Sequence, residues 1–210
     1  MAYSKAQLQA MVQACNVLST LFLLDPSHGE LSGTATTSFM HIVGDMDCEV
    51  IAAWPLGGTR ATDALLDLKK AACAHDERYL GRQYRELFVG PNHLAAPPWG
   101  SVYMDRECVM YGETTAMLRD WMRHNGVRWV ASESTPVDHI GYLLALLAWL
   151  CRERPELVDE FLQQHLLTWA DHYLTELERA ADEASDGEND YAPGTGFYAA
   201  LARLTRATLA

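Results

Sequence analysis

The 210-residue chain has no apolar run long enough to cross a membrane as a helix. The longest, His139 to Cys151, is interrupted by Gly141 and stops short of the roughly 18 residues that such a span needs, so it reads as a buried core helix. Basic residues are scarce: 16 Lys and Arg stand against 28 Asp and Glu, a formal net charge of −12. Phosphate binding requires concentrated Lys and Arg, so nucleic acid is excluded as a partner and a cationic one is favoured. The plainer account is that acidity keeps a soluble protein dispersed. Cysteine pairs are missing. Cys15, Cys48, Cys73, Cys108 and Cys151 stand singly and are odd in number, which fits neither a zinc site nor a disulfide framework and points to free thiols in a reducing compartment. Alternating strand patterns are absent, which leaves an all-α class. No Walker lysine motif and no G-x-S-x-G elbow occurs, so the familiar signatures of phosphate and nucleophilic chemistry are missing. The amino-terminal apolar stretch is broken by Gln and Asn with no small-residue cleavage site after it; without an export signal, a cytoplasmic location is expected.

About half of the residues, 49%, are apolar, enough for a single helical domain over 1–210 with a sizeable core. Ser4-Lys5-Ala6-Gln7 has capping-box spacing. Leu8, Met11, Val12, Cys15, Leu18, Leu21 and Phe22 then recur three and four residues apart, which predicts a helix to about Leu24. Helical pieces follow at 32–43 and 45–53, then at 59–74 and 76–89. The periodicity stops at Gly90. From there to Tyr103 the chain is rich in Pro and Gly yet carries Leu94, Trp99, Val102 and Tyr103, too apolar for a solvated linker. A helix resumes near Glu113 and ends at Asn125-Gly126. After a second loop, Thr135 caps a further helix, with Pro136 in its first turn and Asp138 three residues past the cap, facing the positive end of the dipole. Arg154-Pro155 divides that helix from one long or two stacked helices over 155–184. An acidic break at 185–189 precedes a closing helix from Gly196 to Leu209.

Few of these residues suggest chemistry. Gly194-Thr195-Gly196 matches part of a dinucleotide fingerprint, but that fingerprint follows a strand and here follows a helical tail. His165 and His172 share one helix face and would need ligands from elsewhere to hold a metal. Asp138-His139 pairs an acid with an imidazole, yet neighbouring helical residues point about 100° apart and form no dyad. Capping alone accounts for Asp138, and binding is equally open. Within an apolar helix, His139 needs a hydrogen-bond partner, which favours a pocket or loop contact. Leu87, Phe88, Pro97, Pro98 and Trp99 are either core packing or the wall of a groove.

Three motifs stand in order: Tyr84-Arg85-Glu86-Leu87-Phe88-Val89-Gly90-Pro91, then Ala96-Pro97-Pro98-Trp99-Gly100-Ser101-Val102-Tyr103, then Pro136-Val137-Asp138-His139-Ile140-Gly141. Together they resemble the TorD/DmsD family of twin-arginine redox-enzyme maturation chaperones, and the PPWGSVY segment is most similar to the DmsD branch. The resemblance implies an all-helical bundle with a long Pro/Gly-rich functional loop. It implies a cytoplasmic chaperone, not an enzyme and without cofactor or metal, that binds the twin-arginine signal peptide of a molybdoenzyme catalytic subunit. Such a chaperone holds the precursor from export until its cofactor is inserted, with possible contact to the export machinery at the membrane. Matching residues imply a peptide site of Leu87, Phe88, Pro98, Trp99, Gly100, Asp138 and His139. Thr135 and Val137 stand where family members often carry Glu. The alternatives are a chaperone of the enzyme body that ignores the signal, and a metal-dependent enzyme.

Overall fold

A computed structural model describes residues 3–27, 43–91, 93–128, 136–185 and 196–210. The helical piece expected at 32–43, apart from Val43, lies outside these residues. So do Thr135 as a cap, the break at 186–189, and Gly194-Thr195. Among the described residues there are helices, turns and one isolated bridge, with no strand. The helices are α1 (Lys5–Leu23), α2 (Cys48–Ala52), α3 (Gly58–Ala74), α4 (Glu77–Tyr84), α5 (Gly100–Met104), α6 (Glu113–His124), α7 (Ile140–Glu153), α8 (Val158–Phe161), α9 (Ala170–Ser185) and α10 (Phe197–Leu209). Two π-helical turns, Arg85–Val89 and Leu162–Leu166, prolong α4 and α8. The chain forms two compact units, each from two segments: Met1–Leu23 with Pro98–Tyr173, and Leu24–Pro97 with Leu174–Ala210.

In the first unit α1 lies along α7. The capping box at the start of α1 is reciprocal: Gln7 N–H donates to Ser4 Oγ (3.2 Å) and Ser4 N–H to Gln7 Oε1 (2.8 Å). Ala14, Cys15, Leu18, Leu21 and Phe22 are buried against a helix whose Leu143, Leu144, Leu147 and Leu150 are equally sealed. Gly141 permits the close approach, since a Cβ there would lie 2.6 Å from Leu23 Cγ. At the end of α6, Gly126 is left-handed (φ 68°), Val127 N–H reaches Met122 O (2.8 Å) and Gly126 N–H reaches Arg123 O (3.2 Å). This is the paired bonding of a Schellman cap.

The second unit packs α3 on α10, whose residues from Phe197 to Ala202 are all buried. Gly57, left-handed at φ 80°, precedes α3 where a Cβ would meet Ala207 O at 2.4 Å. Asp76 caps α4 by accepting from Tyr79 N–H (2.7 Å). Tyr198 of α10 donates to Leu80 O (3.2 Å), fixing α4 to it.

Two expectations need correction. The apolar helix starts at Ile140 and its N-cap is His139, so Pro136 and Asp138 precede it. The long loop is also shorter than expected, because Gly100–Met104 is helical. The later start of α7 has a visible cause, because the two segments bond to each other. Gly100 N–H donates to Asp138 O (3.1 Å) and Ile140 N–H to Pro98 O (2.8 Å), forming the bridge between Trp99 and His139. Backbone engaged across that bridge cannot also close helical turns.

Candidate functional site

The bridge brings Pro98, Trp99, Gly100, Asp138 and His139 together in the first unit. Asp138 is 1% exposed, and its Oδ2 accepts from Ser101 N–H at 2.7 Å. It therefore caps a helix, but α5 rather than the helix that follows it in sequence. His139 Nδ1 accepts from Gly141 N–H (3.1 Å), so the neutral ring carries its proton on Nε2. Burial lowers its pKa to about 3 and keeps the ring neutral. The Trp99 ring stands edge-on to His139, centroids 5.9 Å apart. Gly100 is enforced by packing, because a Cβ there would lie 2.8 Å from Trp169 Cε2.

This node is incompletely satisfied. Trp99 Nε1, Ser101 Oγ and Asp138 Oδ1 are buried without a hydrogen-bond partner. Such groups cost about 1–3 kcal/mol each when left unpaired, so one donor, one acceptor and one hydroxyl in a single node call for polar partners.

Leu87 and Phe88 belong to the second unit, on the π-helical turn after α4. Both are buried, and Phe88 packs on Tyr84 (5.0 Å) and Tyr198 (5.4 Å). Phe88 is thus a core residue of its unit. Leu87 also borders an open cleft of about 700 Å³ lined by Arg85, Glu86, His93 and Glu183. The Arg85 guanidinium is held by Asp25 (3.0 Å) and Ser27 (2.9 Å).

The histidines of the third reading do not converge. His165 is buried beside Trp121 (5.2 Å) and Phe161 (6.1 Å), with its pKa lowered chiefly by burial. His172 lies edge-on to Tyr103 (5.2 Å). No group of three or more His, Cys, Asp or Glu is gathered for a metal among the described residues. Gly196 caps α10, and no strand is present among the described residues.

Ser101 and Trp169 complete the node and were missed as site residues. Ser101 stands inside the PPWGSVY motif and was legible there; Trp169, seventy residues away, carried no local signal.

A profile described as nitrate reductase delta subunit matches residues 58–175, and the Tat proofreading chaperone DmsD of Salmonella typhimurium is 36% identical over 195 residues, 92% of this chain and 84% of that one. The chain belongs to the TorD/DmsD family. A further TorD/DmsD relative, a DmsD chaperone of Haemophilus influenzae, is 43% identical over 133 residues, which is 63% of this chain and 60% of that protein. The chaperone YcdY of Escherichia coli is 26% identical over 91% of this chain and 88% of its own length. TorD/DmsD relatives are named as chaperones, and membership makes this chain a chaperone rather than an enzyme. No helix among the described residues is long and apolar enough to cross a membrane.

Proposed function

We propose that the chain is a cytoplasmic chaperone that binds the twin-arginine signal peptide of a molybdenum-cofactor oxidoreductase precursor, of the dimethyl sulfoxide reductase type. It holds the precursor from export until the cofactor is inserted, then yields it to the export machinery at the membrane. The observation that carries this reading is the half-satisfied node of Trp99, Ser101, Asp138 and His139 on the motifs shared with the family. A guanidinium presents five donors in a rigid fork and is the group best matched to a carboxylate with a vacant oxygen. Asp138 is the carboxylate of the node, and at 1% exposure its pairing with a guanidinium requires the bridged segments to part. A peptide carbonyl would satisfy Trp99 Nε1, and Pro98 and Gly100 complete the proposed peptide site within the first unit. The formal charge of −12 accelerates encounter with a basic segment.

Titration calorimetry of the full chain with a synthetic peptide bearing two adjacent arginines and an apolar tail tests this. Binding at micromolar or tighter strength is expected. Asp138→Asn keeps an oxygen for Ser101 N–H while removing the charge, and should weaken binding by about 1–3 kcal/mol with little change in urea midpoint. Equal affinity would reduce Asp138 to a helix cap, and no binding by the wild type would sink the reading.

A further inference from the structure

Trp169 is 2% exposed and lies in the turn between the π-helical residues Leu162–Leu166 and α9. Its backbone and its indole are both engaged: Trp169 O accepts from Tyr173 N–H of α9 (3.0 Å), and Nε1 donates to His165 O (2.9 Å). With its one polar side-chain atom bonded inside its own segment, the indole has only its faces and edges to offer. Those meet α5. The Nε1–Cε2 edge lies where a Cβ on Gly100 would approach it to 2.8 Å, with Cζ2 at 3.2 Å. The ring also stacks on Tyr103, with centroids 5.8 Å apart and planes 15° from parallel.

Gly100 and Tyr103 are three residues apart and so share one face of α5. The indole therefore meets this five-residue helix at its first residue and again one turn on. A helix so short does not hold a position by its own hydrogen bonds. Its other restraint is the Asp138 carboxylate on Ser101 N–H, next in sequence to the residue that Trp169 abuts. Trp99, the N-cap of α5, takes its place from these two contacts. Close-packed interiors transmit a displacement at one contact to the next, so a shift of the indole is a shift of the node.

We propose that Trp169 is a positioning residue of the peptide site; the inference rests on the reading of the Trp99 node given above. Its indole sets the placement of α5, and through α5 the geometry of Trp99 and Ser101 against Asp138. Steric fit is the means. At 2% exposure and with Nε1 already bonded, Trp169 has neither the access nor the polar atom of a ligand contact. The absent side chain of Gly100 is the other half of the same fit, since a methyl there drives α5 away from the ring. A smaller ring at 169 makes room for that methyl, so the two positions are coupled with opposite signs.

A double-mutant cycle on the full chain tests this, with Gly100→Ala, Trp169→Phe and the two combined titrated against a synthetic peptide bearing two adjacent arginines and an apolar tail. Gly100→Ala should bind about tenfold more weakly than wild type and Trp169→Phe about threefold more weakly, each with an unchanged helical circular dichroism signal. The combined variant should bind more tightly than Gly100→Ala alone. Losses that multiply overturn the positioning role and leave the signal-peptide reading standing. So does unchanged affinity in either single variant, and a lowered urea midpoint beside unchanged affinity marks Trp169 as core packing only. Where Trp169→Phe loses its helical signal, Trp169→Leu, whose side chain also clears Gly100, takes its place in the cycle. Failure of the wild type to bind the peptide overturns both readings.

Discussion

Asp138 shows how a residue can be read correctly in kind and wrongly in address. Its place after Pro136 marks an acid at a helix start, and it does cap a helix, but through Ser101 N–H of α5. His139 takes the cap of α7 instead, and its neutrality has a measurable consequence. Its folded pKa is about 3, against an unfolded value near 6.5. Between those values the unfolded chain binds a proton that the folded chain refuses, so stability rises with pH. The contribution is complete above pH 6.5 and is lost as pH falls toward 3. His139→Asn retains an acceptor for Gly141 N–H without titrating. Urea unfolding at pH 6.5 and 4.5 should show the wild type losing roughly 2 kcal/mol more than this variant. An equal loss would place the pH sensitivity elsewhere. His165, lowered in the same direction, leaves a residual slope in both proteins.

At the scale of elements, local signals are reliable where the chain satisfies its own backbone. Ser4 with Gln7 begins α1, and Asn125-Gly126 ends α6, because those bonds are made within a few residues. The start of α7 departs from its local signal because a segment forty residues away claims the backbone first. The close approach of α1 to α7 depends on a residue whose role no local pattern announces. Gly141→Ala would drive a methyl to within 2.6 Å of Leu23 and 3.1 Å of Phe22 Cβ, forcing α1 off α7. Overpacking of this kind costs about 1–3 kcal/mol, despite the better intrinsic helix propensity of Ala. A lowered urea midpoint is expected; a raised one would mean that α1 yields without cost.

For the molecule as a whole, the single cysteines read as free thiols, and all five are free. Their fates divide by burial. Cys15 and Cys151 are sealed, with pKa values pushed up to about 12 and about 11 chiefly by burial, whereas Cys48, Cys73 and Cys108 are exposed. A thiolate is the reactive species, so the sealed pair is inert in the folded state. Titration with a chromogenic disulfide at pH 8 should modify three thiols rapidly in native protein and all five in urea. Rapid modification of five in native protein would contradict the packing of α1 on α7.

The sequence by itself determined the helical class, the family through three ordered motifs, and the self-contained helix ends, since each depends on residues near one another in the chain. Tertiary structure alone decided which helix Asp138 caps, why Gly100 must lack a side chain, and that Trp99, Ser101 and Asp138 share a node with unspent hydrogen-bonding capacity. It also decided that a loop of ordinary composition presents Met110 and Tyr111 outward. The physical reason is common to all of these. Burial, steric room and polar satisfaction are properties of groups that meet in space, and the residues that meet here are separated by tens of positions along the chain.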